Sequence, residues 1–153
     1  MKSPFKICIR ITTISAFAML ISSMLYLLAI WDTIPDKIGV HFSSEGQFDV
    51  YDSKSFSFYP YIVGLSLLII IQFLEWLSKK ATVNNKYDET KVRLVFIAFC
   101  NVIKICVSVF FTYWADCVIK QHELSTTTAK VIFYIILVSI IISVITVNRM
   151  KHK

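Results

Sequence analysis

The sequence predicts an all-α membrane protein. It reads as a four-transmembrane-helix bundle with both termini cytoplasmic and a small extracytoplasmic β-hairpin between the first two helices. Three observations carry this reading. The apolar residues fall in four long blocks rather than in the short amphipathic periods of a water-soluble core. Lys and Arg crowd the segments on one side of those blocks. One polar connection, 32–57, is long and β-compatible. The chain of 153 residues is 56% hydrophobic and 17% charged, with a mean hydropathy of +0.66, whereas a soluble domain carries about a quarter charged residues. The segments between blocks are short and free of low complexity, so 1–153 is expected to form a single integral membrane domain.

The first block, 11–31, contains no charged residue and matches the roughly 20 residues needed to cross the hydrocarbon layer. Lys2, Lys6 and Arg10 precede it, as in a signal peptide. The apolar region of such a peptide is shorter, about 7 to 15 residues, and a retained span is expected. The second block, 58–77, is interrupted by Gln72 and Glu75 near its far end, and Pro60 suits a first helical turn. The third, 92–115, carries Asn101 and Lys104 close to its middle. The fourth, 131–147, is rich in Ile and Val.

Orientation follows from the basic residues, which are retained on the cytoplasmic side. Lys2, Lys6, Arg10, Lys79, Lys80, Lys86, Lys91, Arg93, Arg149, Lys151 and Lys153 flank one side; only Lys37, Lys54, Lys120 and Lys130 flank the other. Asp32, Asp36, Glu45, Asp49, Asp52, Asp116 and Glu123 fall on the second, outer side. Trp31, Tyr59, Tyr61, Tyr113 and Trp114 cluster at the outer interface and Trp76 at the inner one, where amphipathic rings favour the headgroup layer. The net charge of +6 therefore reads as a topology signal, not a nucleic-acid patch. Cys8, Cys100, Cys106 and Cys117 form no CxxC motif, and neither a disulfide framework nor a zinc site is indicated.

Within the outer loop, 38–42 and 47–51 are short β-compatible runs separated by Ser43, Ser44, Glu45 and Gly46, a connection of hairpin length. Alternation places Ile38, Val40 and Phe42 on one face and His41 on the other, with Phe48 and Val50 adding to the apolar side. An isolated hairpin is marginal in water, so this one is expected to rest on the helices or on lipid.

The spacing of Pro35, Ile38, His41, Phe42, Gly46, Asp49, Ser53 and Lys54 resembles the short domain of unknown function in SdpI-type membrane proteins. The resemblance covers roughly a third of the chain, from the end of the first span to the start of the second. It implies a bacterial cytoplasmic-membrane protein; the family's named member is an immunity factor that protects a toxin producer and holds a repressor at the membrane. The implied role is immunity against a secreted membrane-active peptide. The implied partners are the lipid bilayer, that peptide at the outer face and a cytoplasmic regulator. The chain departs from the family pattern at Gly39, where a proline is usual, and lacks a counterpart of the additional helices of the full immunity protein.

Other chemistry finds little support in the residues. His41 with Asp36, Glu45, Asp49 and Asp52 is a conceivable metal-ligand set, but its spacing matches no established motif and His122 is the only other outer histidine. No metal or cofactor is expected. Instead, His41 is expected to hydrogen-bond across the hairpin, Asp49 to pin the turn, and Lys54 to approach a carboxylate or lipid phosphate. No Gly-rich phosphate loop, HExxH or Ser/His/Asp arrangement is visible, and the chain reads as a non-enzyme.

Lys104 is the outlier, because a cation at the bilayer centre costs about 2.5 to 3.5 kcal/mol on insertion scales without a partner. Asn101 lies one turn away, and Glu75 is its natural counter-charge. Glu75 is expected to sit about 10 Å nearer the cytoplasm, from a rise of 1.5 Å per residue, so contact requires side-chain extension or water. The group serves either as structural glue or as the polar site of a small transporter or channel subunit; the residues leave both open. Ala18 with Ser22 and Ser139 with Ser143 are small-xxx-small pairs expected to pack within the chain.

Overall fold

The computed structural model describes residues 4–80 and 88–150. Lys2, Lys86, Lys151 and Lys153 of the charge count lie outside them. The elements run α1 (Pro4–Ala29), β1 (Lys37–Phe42), β2 (Phe48–Ser53), α2 (Tyr59–Ser78), α3 (Glu89–Lys120) and α4 (Thr126–Arg149), with 3-10 turns at Trp31–Thr33 and Lys54–Phe58. Among the described residues four helices are long and apolar enough to cross a membrane.

α3 and α4 outrun their apolar blocks at both ends, α1 starts before its block and stops short of its end, and α2 matches its block to within one residue; several of these ends have a local cause. Ile34 is extended (φ −81°, ψ 131°) because a residue before proline is pushed out of the helical region, so α1 stops at Ala29 and a 3-10 turn carries the chain to Pro35. The Asp88 side chain accepts from the Lys91 amide at 3.2 Å, starting α3 before its apolar stretch. Ion pairs four residues apart, Glu89 with Arg93 and Asp116 with Lys120 at 2.7 Å, extend the same helix at both ends. It stops at Gln121, which adopts a left-handed conformation (φ 54°). Ser125 caps α4, accepting from the Thr128 amide at 3.3 Å.

α3 is the spine: α1, α2 and α4 all pack against it, whereas α1 and α2 touch each other less extensively. Ala16, Leu20 and Leu27 of α1, Tyr61 and Leu68 of α2, and Phe111, Ala115 and Val118 of α3 form the core. Gly64 allows the three helices to close up, since a Cβ there would lie 3.0 Å from Phe111 Cβ and 3.1 Å from Leu20 Cδ1. The small-residue pair Ala18 and Ser22 instead faces outward; α1 turns its Ala16–Leu20 stripe inward. α4 buries none of its residues.

The hairpin forms with the Ser43 to Gly46 turn, Gly46 taking φ +88°. Its strands pair antiparallel, with the register interrupted between Gly39 and His41 and again between His41 and Phe42, where Asp49 of β2 is passed over. Val40 is the extra residue, a β-bulge that bends the strand. Ile38 is fully buried and His41 exposed, as alternation requires, and Phe42 stacks on Phe48 with ring centroids 4.4 Å apart. Val50 departs from expectation. The bulge pairs it with His41, and it is 49% exposed rather than part of the apolar face.

Two backbone contacts fasten the hairpin to the bundle. The Gly39 amide donates to Gln121 Oε1 at 2.8 Å, and the Leu124 amide donates to the Gly46 carbonyl at 2.8 Å. Both join it to the α3–α4 connection.

Candidate functional site

Polar chemistry gathers in two places, one inside the helices and one at the hairpin. In the interior, Lys104 is fully buried and its Nζ lies 2.5 Å from Glu75 Oε2, 2.8 Å from Gln72 Oε1 and 3.0 Å from Thr13 Oγ1. An ammonium has three protons, and all three are taken, one by α1 and two by α2. The expected depth mismatch between Lys104 and Glu75 is bridged without water: the long lysine side chain reaches toward the carboxylate's end of the bundle. Asn101 completes the cluster, its Nδ2 donating to the Ile97 carbonyl at 2.8 Å and its Oδ1 accepting from Thr13 at 3.3 Å.

A cavity of about 650 Å3 lies beside this cluster, lined by Lys6, Ile9, Arg10, Thr13 and Ile14 of α1, Gln72, Glu75 and Lys79 of α2, and Leu94 and Ile97 of α3. On the hairpin side of the cluster the buried side chains of Ala16, Leu20, Leu68 and Phe111 belong to the apolar core. Ser108 links the two, its Oγ donating to the carbonyls of Ala16 and Lys104, both at 2.9 Å.

At the hairpin, the motif residues mostly hold the loop together. His41 Nδ1 and Asp49 Oδ1 meet at 2.6 Å across the strands, on the exposed face. Lys54 Nζ sits 3.2 Å from Asp36 Oδ1 and 5.1 Å from the Trp31 ring centroid, tying the start of the loop to its end. The Ser53 hydroxyl accepts from the Ser55 amide at 3.4 Å. Ile38 enters the core and Gly46 joins the α3–α4 connection. Below the hairpin, Val40, His41, Phe56, Tyr59, Pro60, Trp114 and Val118 line a cleft of about 350 Å3. Among the described residues no three His, Cys, Asp or Glu side chains are placed to hold a metal ion.

Several contributors were not foreseen. Thr13 is one hydroxyl among several in the first block, and only its facing Lys104 singles it out. Gln72 carried a signal, lying three residues before Glu75 and hence on the same helix face. Tyr61, read as an interfacial ring, is fully buried; its hydroxyl is 2.9 Å from Ser23 Oγ and donates to the Ser23 carbonyl at 3.2 Å. In comparisons with protein-family models, curated proteins and solved structures, nothing matches this chain.

Proposed function

We propose that the chain is an SdpI-like protein of the bacterial cytoplasmic membrane, with both termini inside, whose hairpin face intercepts a secreted cationic membrane-active peptide and protects the cell. The observation that supports this is the cleft beneath the hairpin. Its walls include the rings of Phe56, Tyr59 and Trp114, and the hairpin segment contributing His41 carries exposed Asp36, Glu45, Asp49 and Asp52. Carboxylates steer a cationic partner toward the surface, and aromatic pockets supply the anchor that carries most of the binding energy. The Asp36 side chain is 95% exposed despite its contact with Lys54, so its field reaches solvent. The inside-positive distribution of Lys and Arg supports placing this face outside.

A small-transporter reading draws on the buried Lys104–Glu75 pair and the cavity beside it. An ion path, however, needs polar lining through the bilayer, and on the hairpin side of the Lys104 cluster the buried residues Ala16, Leu20, Leu68 and Phe111 are apolar. The binding role is therefore preferred. Its test is survival: cells expressing the chain, challenged with a panel of cationic amphipathic peptides, should resist at least one. Phe56→Ala with Tyr59→Ala should abolish that resistance while the protein still reaches the membrane. Equal killing with and without the chain across the panel contradicts the proposal.

A further inference from the structure

The end of the bundle opposite the hairpin has chemistry of the reverse sign. Residues of α1, α2 and α3 line the 650 Å3 cavity there, Lys6, Arg10 and Lys79 among them. Nearby cations are occupied: Lys91 pairs with Asp88 at 3.0 Å, Arg93 pairs with Glu89, and Lys80 lies over the Trp76 ring, 4.1 Å from its centroid. Lys6, Arg10 and Lys79 have no carboxylate partner among the described residues. Among the described residues, the one carboxylate lining the cavity, Glu75, is already neutralised by Lys104.

The cavity thus carries three uncompensated positive charges near its mouth and a neutral hydrogen-bonding floor, Thr13 and Gln72, at its inner end. Between them stand apolar side chains, Ile9 and Ile14 from α1 and Leu94 and Ile97 from α3, and Ile14 is exposed on the outer surface of the bundle. A cluster containing Arg and Lys suits a phosphate, which accepts several charge-assisted hydrogen bonds at once. Apolar walls beside it suit a hydrocarbon chain. We propose that this cavity binds a phosphate monoanion or phosphodiester carried on an amphiphile, the phosphate held by Lys6, Arg10 and Lys79 and the chain lying against the apolar walls. The site is independent of the hairpin cleft and of any peptide bound there.

The probes are phosphatidylglycerol, phosphatidylcholine and glycerol 1-phosphate, and the readout is native mass spectrometry of the full chain released from detergent. Phosphatidylglycerol should bind in preference to the zwitterionic lipid. Arg10→Gln with Lys79→Gln should weaken that binding by about tenfold or more, as expected for loss of two charge-assisted contacts. A control, Lys37→Gln with Lys120→Gln, removes the same charge at the hairpin end and should leave it unchanged. Resistance to displacement by glycerol 1-phosphate supports the amphiphile; displacement by it assigns the site to a soluble phosphate and overturns the proposal. Equal binding of both lipids, no loss in the Arg10/Lys79 variant, or equal loss in the control overturns the proposal. Thermal unfolding of each variant confirms that the bundle is intact.

Discussion

Lys104 on α3 and Glu75 on α2 hold each other at 2.5 Å, with side-chain exposures of 0% and 5%. The pair joins three helices, because Lys104 also reaches Thr13 on α1. Removing one member strands the other as an uncompensated buried charge, a loss of about 3 to 5 kcal/mol. Removing both leaves no buried charge, although Gln72 and Thr13 lose the donor that Lys104 supplies. Glu75→Gln or Lys104→Met alone should therefore lower stability by roughly that amount, and Lys104→Met with Glu75→Met should recover most of it. Unfolding in mixed micelles measures both; additive losses would show that the two residues are not coupled.

Gly46 and Gly39 fix the hairpin for different reasons. Gly46 has φ +88°, and a Cβ there would sit 2.0 Å from the Leu124 carbonyl oxygen. Gly39 lies under Phe48 and donates its amide to Gln121. Gly46→Val should release the loop, at a cost of at least about 1 to 3 kcal/mol for the strained backbone alone. Gly39→Pro should also loosen it by removing that amide. Faster proteolytic cleavage within 37–53, with the helices still intact, is the expected readout.

The Asp88 cap makes the start of α3 acid-sensitive. Hydrogen bonding from the Lys91 side chain, then from its backbone amide, holds the Asp88 carboxyl below its ordinary value. A depressed carboxyl stabilises the fold above its unfolded pKa of about 3.9 and loses that contribution as pH falls through its folded value. Amide exchange in the first turn of α3 should therefore accelerate below about pH 4 relative to the helix centre. Asp88→Ala should show the same fraying at neutral pH, with little further acid response.

Topology is accessible through thiol chemistry. Cys8 is exposed near the start of α1, whereas Cys100, Cys106 and Cys117 are buried. In intact cells a membrane-impermeant maleimide should label Glu45→Cys at the hairpin turn and spare Cys8 until the membrane is opened. The reverse pattern would invert the bundle and remove the hairpin from the outer surface.

The four apolar blocks announced the four helices because length and hydropathy alone decide whether a segment can span. Their ends were less visible, since Asp88, Ser125 and the Ile34–Pro35 step act through one residue each. The hairpin was legible from its β-compatible runs and Gly46. Its bulge at Val40 was not, because a single unpaired residue leaves no mark on a short alternating pattern. Lys104 and Glu75 stood out as charges inside apolar blocks, yet their contact depended on helix stagger and side-chain reach. Thr13 and Tyr61 gained their roles only from helices distant in sequence. Of the cleft residues, Tyr59 and Trp114 read only as interfacial rings and Phe56 only as part of the outer loop.

Binding decides the central claim most directly. Cationic amphipathic peptides are titrated onto the full chain in lipid nanodiscs, with empty nanodiscs as reference. At least one peptide should bind saturably and one to one, more weakly as salt is raised. Phe56→Ala with Tyr59→Ala should weaken that binding by about tenfold or more, and Asp36→Asn with Glu45→Gln should slow association. Binding indistinguishable from empty nanodiscs for every peptide, or unmoved by either pair of substitutions, would contradict interception at the hairpin face.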